Sequence, residues 1–302
     1  MAFHVPEKNY TLFDIVQERF RVLLKKGVIT GIDENTLDCW LGNFGTDEER
    51  YFAACVLGRL IFRSKHMIES SIDHTLQCVL PAYLRSRGLY PHNDIESFLE
   101  ALQQNNPASP IRFIGVDGSG VHDTGKSGVV MIRYYKRHAR IHKSITCRPD
   151  SISQLPEHIR CLIFIDDMLG TGRQFGDFAK EHGLAEKQGI HMVYCPLVAF
   201  QKGVYHLHGK CPWLTVLPTE ILNERHQFFS ASTNKAGVWA VDEVNTVKDV
   251  KFFFEELATQ HGIPASTHHG LDLLLGFEDA TPNNTLSALW ASSSSWAKLL
   301  TR

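Results

Sequence analysis

An α/β protein with a doubly wound, mostly parallel sheet, preceded by an all-helical N-terminal region, is what this 302-residue sequence predicts. Three observations carry that expectation. Apolar residues in the first hundred positions recur only at helical spacing. After a polar, proline-bearing break at Asn105-Asn106-Pro107-Ala108-Ser109-Pro110, continuous apolar runs alternate with helical stretches, the pattern of right-handed βαβ units. Finally, Leu162-Ile163-Phe164-Ile165 is apolar on both faces, as a strand covered on both sides requires, and runs straight into Asp166-Asp167. The break is the expected boundary between a helical region, 1–106, and an α/β domain with a C-terminal extension, 107–302.

In chain order, Leu12, Phe13, Val16, Phe20, Leu23 and Leu24 predict a helix over 10–26, with Gly27 as its stop. Residues 33–41 and 47–63 repeat the pattern. Thr46 followed by Glu49 opens the second of these with a capping-box signature. A helix over 64–84 is expected to be interrupted at Pro81, and another covers 94–103. Arg50, Arg59, Arg63, Lys65 and His66 read as solvated helix surface rather than a binding face. Beyond the break come a strand at 111–116, a helix at 129–137, a strand or extended loop at 139–145, and helical or irregular chain at 151–158. The strand ending in Asp166-Asp167 follows, then a helix at 175–181. A second apolar strand at 190–200, a short helix at 202–208 and a strand at 214–222 complete the alternation. Residues 223–235 form a polar excursion, 246–260 an amphipathic helix, and Ser292 to Ser295 a loop before a last short helix.

Composition narrows the function classes. Net charge is −2 and pI about 6.8, so no global signature of nucleic-acid binding exists, and 43% hydrophobic content supports a packed core. Seven widely spaced cysteines without a CxxC pair read as reduced core residues, not as zinc ligands or disulfides. The first residues hold no signal-like apolar core and no apolar run spans a bilayer, which predicts a soluble, cytoplasmic protein with no membrane partner.

The chemistry concentrates in two stretches. Two acids at a strand's end can hydrogen-bond neighbouring hydroxyls of a sugar. The amides of Gly170, Thr171, Gly172, Arg173 and Gln174, at the start of the next helix, can hold a phosphate. Upstream, Asp117-Gly118-Ser119-Gly120-Val121-His122-Asp123-Thr124-Gly125-Lys126-Ser127 follows a strand and supplies a glycine-rich turn with a cation. Gly120 to Ser127 also satisfies the pattern GxxxxGK[ST]. A P-loop ATPase or phosphohydrolase is therefore the alternative, with Lys126 on the β- and γ-phosphates and Ser127 and Asp166 on magnesium. A non-catalytic nucleotide-binding sensor or partner-binding module is a third reading. The ATPase reading leaves the turn at 170–172 unexplained and places the acid of Asp123 against phosphates. His268 and His269, near Asp272, read as a solvated turn.

The stretch from Leu162 to Gln174 resembles the PRPP-binding signature of type I phosphoribosyltransferases, with Gly170 in place of a small non-glycine residue and Gln174 where a hydroxyl is expected. Together with Trp40-Leu41-Gly42-Asn43-Phe44, Gly125-Lys126-Ser127-Gly128 and Thr281-Pro282-Asn283-Asn284-Thr285-Leu286, it resembles the phosphoribosyltransferase-like family of bacterial conflict systems. The resemblance implies a glycosyl transfer at ribose C1 of PRPP or a nucleotide. In that transfer Asp166, Asp167 and Lys126 are catalytic. Gly170 to Gln174 hold the 5-phosphate, and Ser119, Gly120, Gly125 and Ser127 the diphosphate. Asp117 and Asp123 hold magnesium. It also implies an oligomeric effector of antiviral defence, in some loci beside a reverse transcriptase and its noncoding RNA. The Pro-Asn-Asn-Thr element is expected to cap the next helix or to bind a base.

Overall fold

The computed structural model describes residues 3–116, 127–230, 237–240, 242–266 and 270–302. In chain order its elements are α1 (Leu12–Lys25), α2 (Glu34–Leu41), α3 (Asp47–Gly58), β1 (Ile61–Arg63), α4 (Lys65–His74), α5 (Leu80–Ser86), α6 (Ile95–Gln103), β2 (Ile111–Gly115), α7 (Ser127–Arg137), β3 (Cys161–Leu169), α8 (Arg173–Glu181), β4 (His191–Phe200), α9 (Gln201–Lys210), β5 (Leu214–Val216), β6 (Glu220–Leu222), α10 (Val247–His261), β7 (Leu275–Phe277) and α11 (Ser287–Trp290). They pack as two units, Met1–Met67 with Asn223–Arg302, and Ile68–Leu222. The boundary expected at residue 107 lies inside the second unit, because most of α4 and all of α5 and α6 group with the sheet.

The first unit is held by aromatic side chains from both its chain segments. Phe52 stacks on Phe254 at 5.5 Å and meets Phe228 edge-on at 5.4 Å, and Phe228 in turn meets Trp239. The helix expected over 47–63 stops at Gly58, because Ile61, Phe62 and Arg63 pair in parallel with Leu275, Gly276 and Phe277. No local pattern marks that long-range pairing. At the other end of α3 the expected capping box is present. The Thr46 hydroxyl accepts from Glu49 N at 3.2 Å, and Glu49 accepts from Thr46 N at 3.0 Å. Thr246 and Asp249 repeat the arrangement on α10. Thr46→Ala is accordingly expected to cost about 1 kcal/mol, read from the urea midpoint, with Thr246→Ala costing a similar amount.

Two motifs quoted for the family resemblance prove to be clasps within this unit. Trp40 is fully buried and its indole donates to Ala288 O at 2.8 Å, while Asn43 exchanges two hydrogen bonds with the Ala297 backbone. In the Pro-Asn-Asn-Thr turn, the Thr285 hydroxyl donates to Leu275 O at 2.5 Å and Asn283 accepts from Arg302. No side chain caps α11, so the expected capping role is replaced by one of tying down the C-terminal segment. That segment contains no last helix among its described residues. Leu299 and Leu300 instead donate to Leu289 O at 2.9 and 2.8 Å.

The second unit is built on a parallel sheet of order β2-β3-β4-β5, with β6 pairing β4 further along. The strand expected over 214–222 is thus split in two. Its break contains Pro218, which has no N–H to donate to a ladder. The possible strand at 139–145 is reduced to one parallel bridge between Thr146 and Phe113, on the far side of β2 from β3. That bridge matters for topology. After β2 the chain turns outward to Thr146 and then returns past β2 to form β3, so the winding direction reverses between β2 and β3. Ligands of open α/β sheets bind at such a reversal, beyond the carboxyl ends of the two strands. Helices cover both faces. Tyr135 of α7 packs on Phe113, whereas Phe175 and Phe178 of α8 pack on Phe164 at 5.3 and 5.8 Å, and register puts Phe113 opposite Ile163. The interruption expected at Pro81 comes earlier, as a π-turn at Thr75–Val79. Pro81, which has no N–H to donate, follows this π-turn as the second residue of α5.

Candidate functional site

β3 does not end at its two acids, as expected, but continues past them to Leu169. Its pairing with β4 carries on through Asp166 opposite Pro196, Met168 opposite Val198 and Leu169 opposite Ala199. Asp166 and Asp167 are therefore held by sheet backbone, in a strand whose neighbours leave little freedom. They sit on the β3 side of the reversal point, across from the end of β2.

Asp166 is buried, 1% exposed. Its Oδ1 accepts from the Ser127 hydroxyl at 2.6 Å and from Asp167 N at 3.0 Å, and its Oδ2 accepts from the Tyr194 hydroxyl at 3.0 Å. Both oxygens are thus engaged by protein. Burial, then the neighbouring charge of Asp167, pushes the Asp166 carboxyl well above the usual carboxylate range. Burial also raises Asp167, although that residue keeps partial access to solvent. Two acids this close hold a proton between them more tightly than isolated carboxylates do.

The turn that follows is shaped by glycine. Gly172 caps α8 at φ +83, a left-handed conformation that disfavours side chains. A Cβ on Gly203, in α9, would lie 2.1 Å from Gly170 O, so α9 and the turn meet backbone to backbone. A second such meeting joins β2 to α7, where a Cβ on Gly128 would lie 2.3 Å from Val116 O. Arg173 and Gln174, the first two residues of α8, are exposed. The first amides of a helix have no intrahelical acceptor and attract anions.

Of the residues singled out in the sequence, Asp166, Asp167 and Ser127 come together here, with Gly170, Thr171, Gly172, Arg173 and Gln174 on the turn directly after β3. Asp117, Ser119, Gly120, Asp123, Gly125 and Lys126 lie outside the described residues, as do His268 and His269. Among the described residues no three His, Cys, Asp or Glu side chains form a metal cluster. Three participants went unnoticed in the sequence. Tyr194 anchors Asp166 and stacks on Phe175 at 4.5 Å, yet in the sequence it is one more apolar residue of a core strand. Gly203 and Gly115 make close approaches that no spacing rule marks.

A parallel sheet with helices on both faces, a reversal of winding, and paired acids ahead of a glycine turn at a helix start define a doubly wound α/β protein with its candidate site at the reversal. A family model described as PRTase-CE matches residues 37–302, and the chain belongs to that family. No curated protein matches it significantly. Among the described residues no helix is long and apolar enough to cross a membrane.

Proposed function

We propose that the site binds PRPP or a nucleotide and transfers its ribosyl group at C1, with Asp167 as the residue that meets the ribose. The observation that carries this is the placement of Asp167, partly open to solvent, at the strand end that runs into the Gly170-Thr171-Gly172 turn and the start of α8. Asp167 accepts hydrogen bonds from the ribose hydroxyls, and the amides and Arg173 side chain of the α8 start hold the 5-phosphate. Gln174 adds a side-chain amide where a hydroxyl was expected. Asp166, with both oxygens engaged, is a positioning residue that fixes the β3 end to α7 through Ser127 and to β4 through Tyr194. As the C1–O bond to diphosphate breaks, its electron pair leaves with the diphosphate. The oxocarbenium-like ribose is stabilised by Asp167 until an acceptor bonds C1. Asp117 and Asp123 are the residues that would hold magnesium, which when bound would supply positive charge against the leaving diphosphate. Lys126 acts on the same charge.

The test is isothermal titration with PRPP and magnesium, together with mass spectrometry of nucleotides incubated with the protein. Wild type is expected to bind PRPP and Asp167→Asn to lose at least tenfold in affinity. Failure of the wild type to bind PRPP or any nucleotide would sink the proposal.

One observation favours the P-loop reading, the 2.6 Å contact between Ser127 and Asp166, the two residues that would share magnesium. Against it, both Asp166 oxygens already accept hydrogen bonds from Ser127, Asp167 N and Tyr194. ATP hydrolysis by the wild type, lost in Lys126→Ala, would reverse that preference. An oligomeric, cytoplasmic effector of antiviral defence beside a reverse transcriptase and its noncoding RNA is the setting we attach to this activity, on the resemblance alone. Co-purification of the chain with that complex tests it.

A further inference from the structure

Charge is unevenly distributed along the chain. From Thr124 to Pro149 there are seven Lys or Arg and no Asp or Glu, in a protein whose net charge is −2. The middle of this run is α7. Its inner side is set by Met131 and Tyr135, both buried, and Tyr135 lies against Phe113 of the sheet. Arg133, Lys136 and Arg137 are exposed on α7, and so is Arg140 just past its end. Positions 133, 136 and 137 follow the i, i+3, i+4 spacing that places side chains on one helix face.

None of these four side chains takes part in an ion pair among the described residues. The acids next to this region, Glu69 and Asp73 of α4, are turned to His138, with Asp73 at 2.8 Å. Favourable interaction with the carboxyl end of α7 accounts for Lys136 and Arg137, but not for Arg133 a turn earlier or Arg140 beyond the helix. Like charges at this spacing repel one another, and a polyanion laid across them removes that cost.

We propose that this face of α7 binds the phosphate backbone of a single-stranded nucleic acid. Arg133 to Arg137 span about 6 Å of α7 at a helical rise of 1.5 Å per residue, and Arg140 extends the row past the helix end. Successive phosphates of one strand advance about 3.4 Å, so three or so meet the row. A membrane-surface helix would need large apolar side chains flanking its cations, and here the apolar side is committed to the sheet. The inference is independent of the ribosyl chemistry assigned to Asp167. α7 also begins at Ser127, bonded to Asp166, so a strand on this face leads toward that site.

The experiment is fluorescence anisotropy of the full chain with a labelled 20-nucleotide single-stranded RNA across a salt series. Three or four phosphate contacts predict a slope of log affinity against log salt of about −2 to −3. Arg133→Gln/Lys136→Gln/Arg137→Gln is expected to weaken binding at least tenfold and flatten the slope by about 2, with an unchanged circular dichroism spectrum. Arg133→Lys/Arg137→Lys, which keeps the charge, is expected to retain the wild-type slope. A wild-type slope near zero, a triple variant that binds like the wild type, or capture of phosphatidylserine vesicles without any binding of RNA would each overturn the proposal.

Discussion

Gly203→Ala is expected to destabilise the protein and disable the site, although it places a better helix former inside a helix. Taken alone, the propensity gain is about 0.5–1 kcal/mol in favour of alanine. Packing reverses the sign. The added Cβ would sit 2.1 Å from Gly170 O, a backbone atom that cannot rotate away, so α9 or the turn must shift. Overpacking of this kind costs about 1–3 kcal/mol. The displaced atoms belong to the turn that presents the α8 amides, so PRPP affinity falls with stability. The same helix supplies its own control, because Gly209 is exposed and a Cβ there meets nothing within 4 Å. Gly209→Ala should therefore stabilise by about 0.5–1 kcal/mol and leave binding untouched. Urea denaturation of the two variants, with titration of PRPP, decides the matter. Equal and favourable effects at both positions would refute the close approach.

Asp166→Asn is expected to make the protein more stable at neutral pH while leaving it able to bind. The carboxyl is raised above its unfolded value by burial and by Asp167, so the folded state binds its proton more tightly than the unfolded chain. A raised acid contributes stability that is fully present below the unfolded pKa and is lost as pH climbs through the folded one. Asparagine does not titrate and has the same shape. Its oxygen accepts from Ser127 and Asp167 N, while its amide takes the place of the oxygen that accepts from Tyr194, so that hydroxyl must turn from donor to acceptor. Wild type and variant should match near pH 4 and separate as pH rises, the variant leading at pH 7.5. Denaturant midpoints at the two pH values give the difference directly. A variant less stable at both would show that Asp166 is ionised and stabilising. Retained PRPP binding in Asp166→Asn beside its loss in Asp167→Asn separates the positioning acid from the sugar-binding one.

The two acids were legible as a pair but not as individuals. In the sequence, Asp166-Asp167 is a doublet after four apolar residues. Which member is buried depends on Ser127 and Tyr194, respectively 39 and 28 positions away. Helices fared best where the information is local. The Thr46 and Glu49 capping box and the apolar spacing of α1, α2 and α10 place those elements to within a residue or two. Long-range pairing was invisible, and so β1 was absorbed into a helix, β3 was cut short at its acids, and the strand over 214–222 was not divided.

Sequence alone therefore determined the class of this protein. Hydrophobic periods, caps, and an apolar run ending in acids and a glycine turn are short-range features, and they suffice for an α/β chain, whose phosphoribosyltransferase-like character rests on the resemblance carried by Leu162 to Gln174. Tertiary structure alone decided the winding reversal at Thr146, the backbone contact of Gly203 with Gly170, and the burial that separates Asp166 from Asp167. Each depends on residues brought together across the sheet, where packing and desolvation, not neighbouring sequence, set the energy.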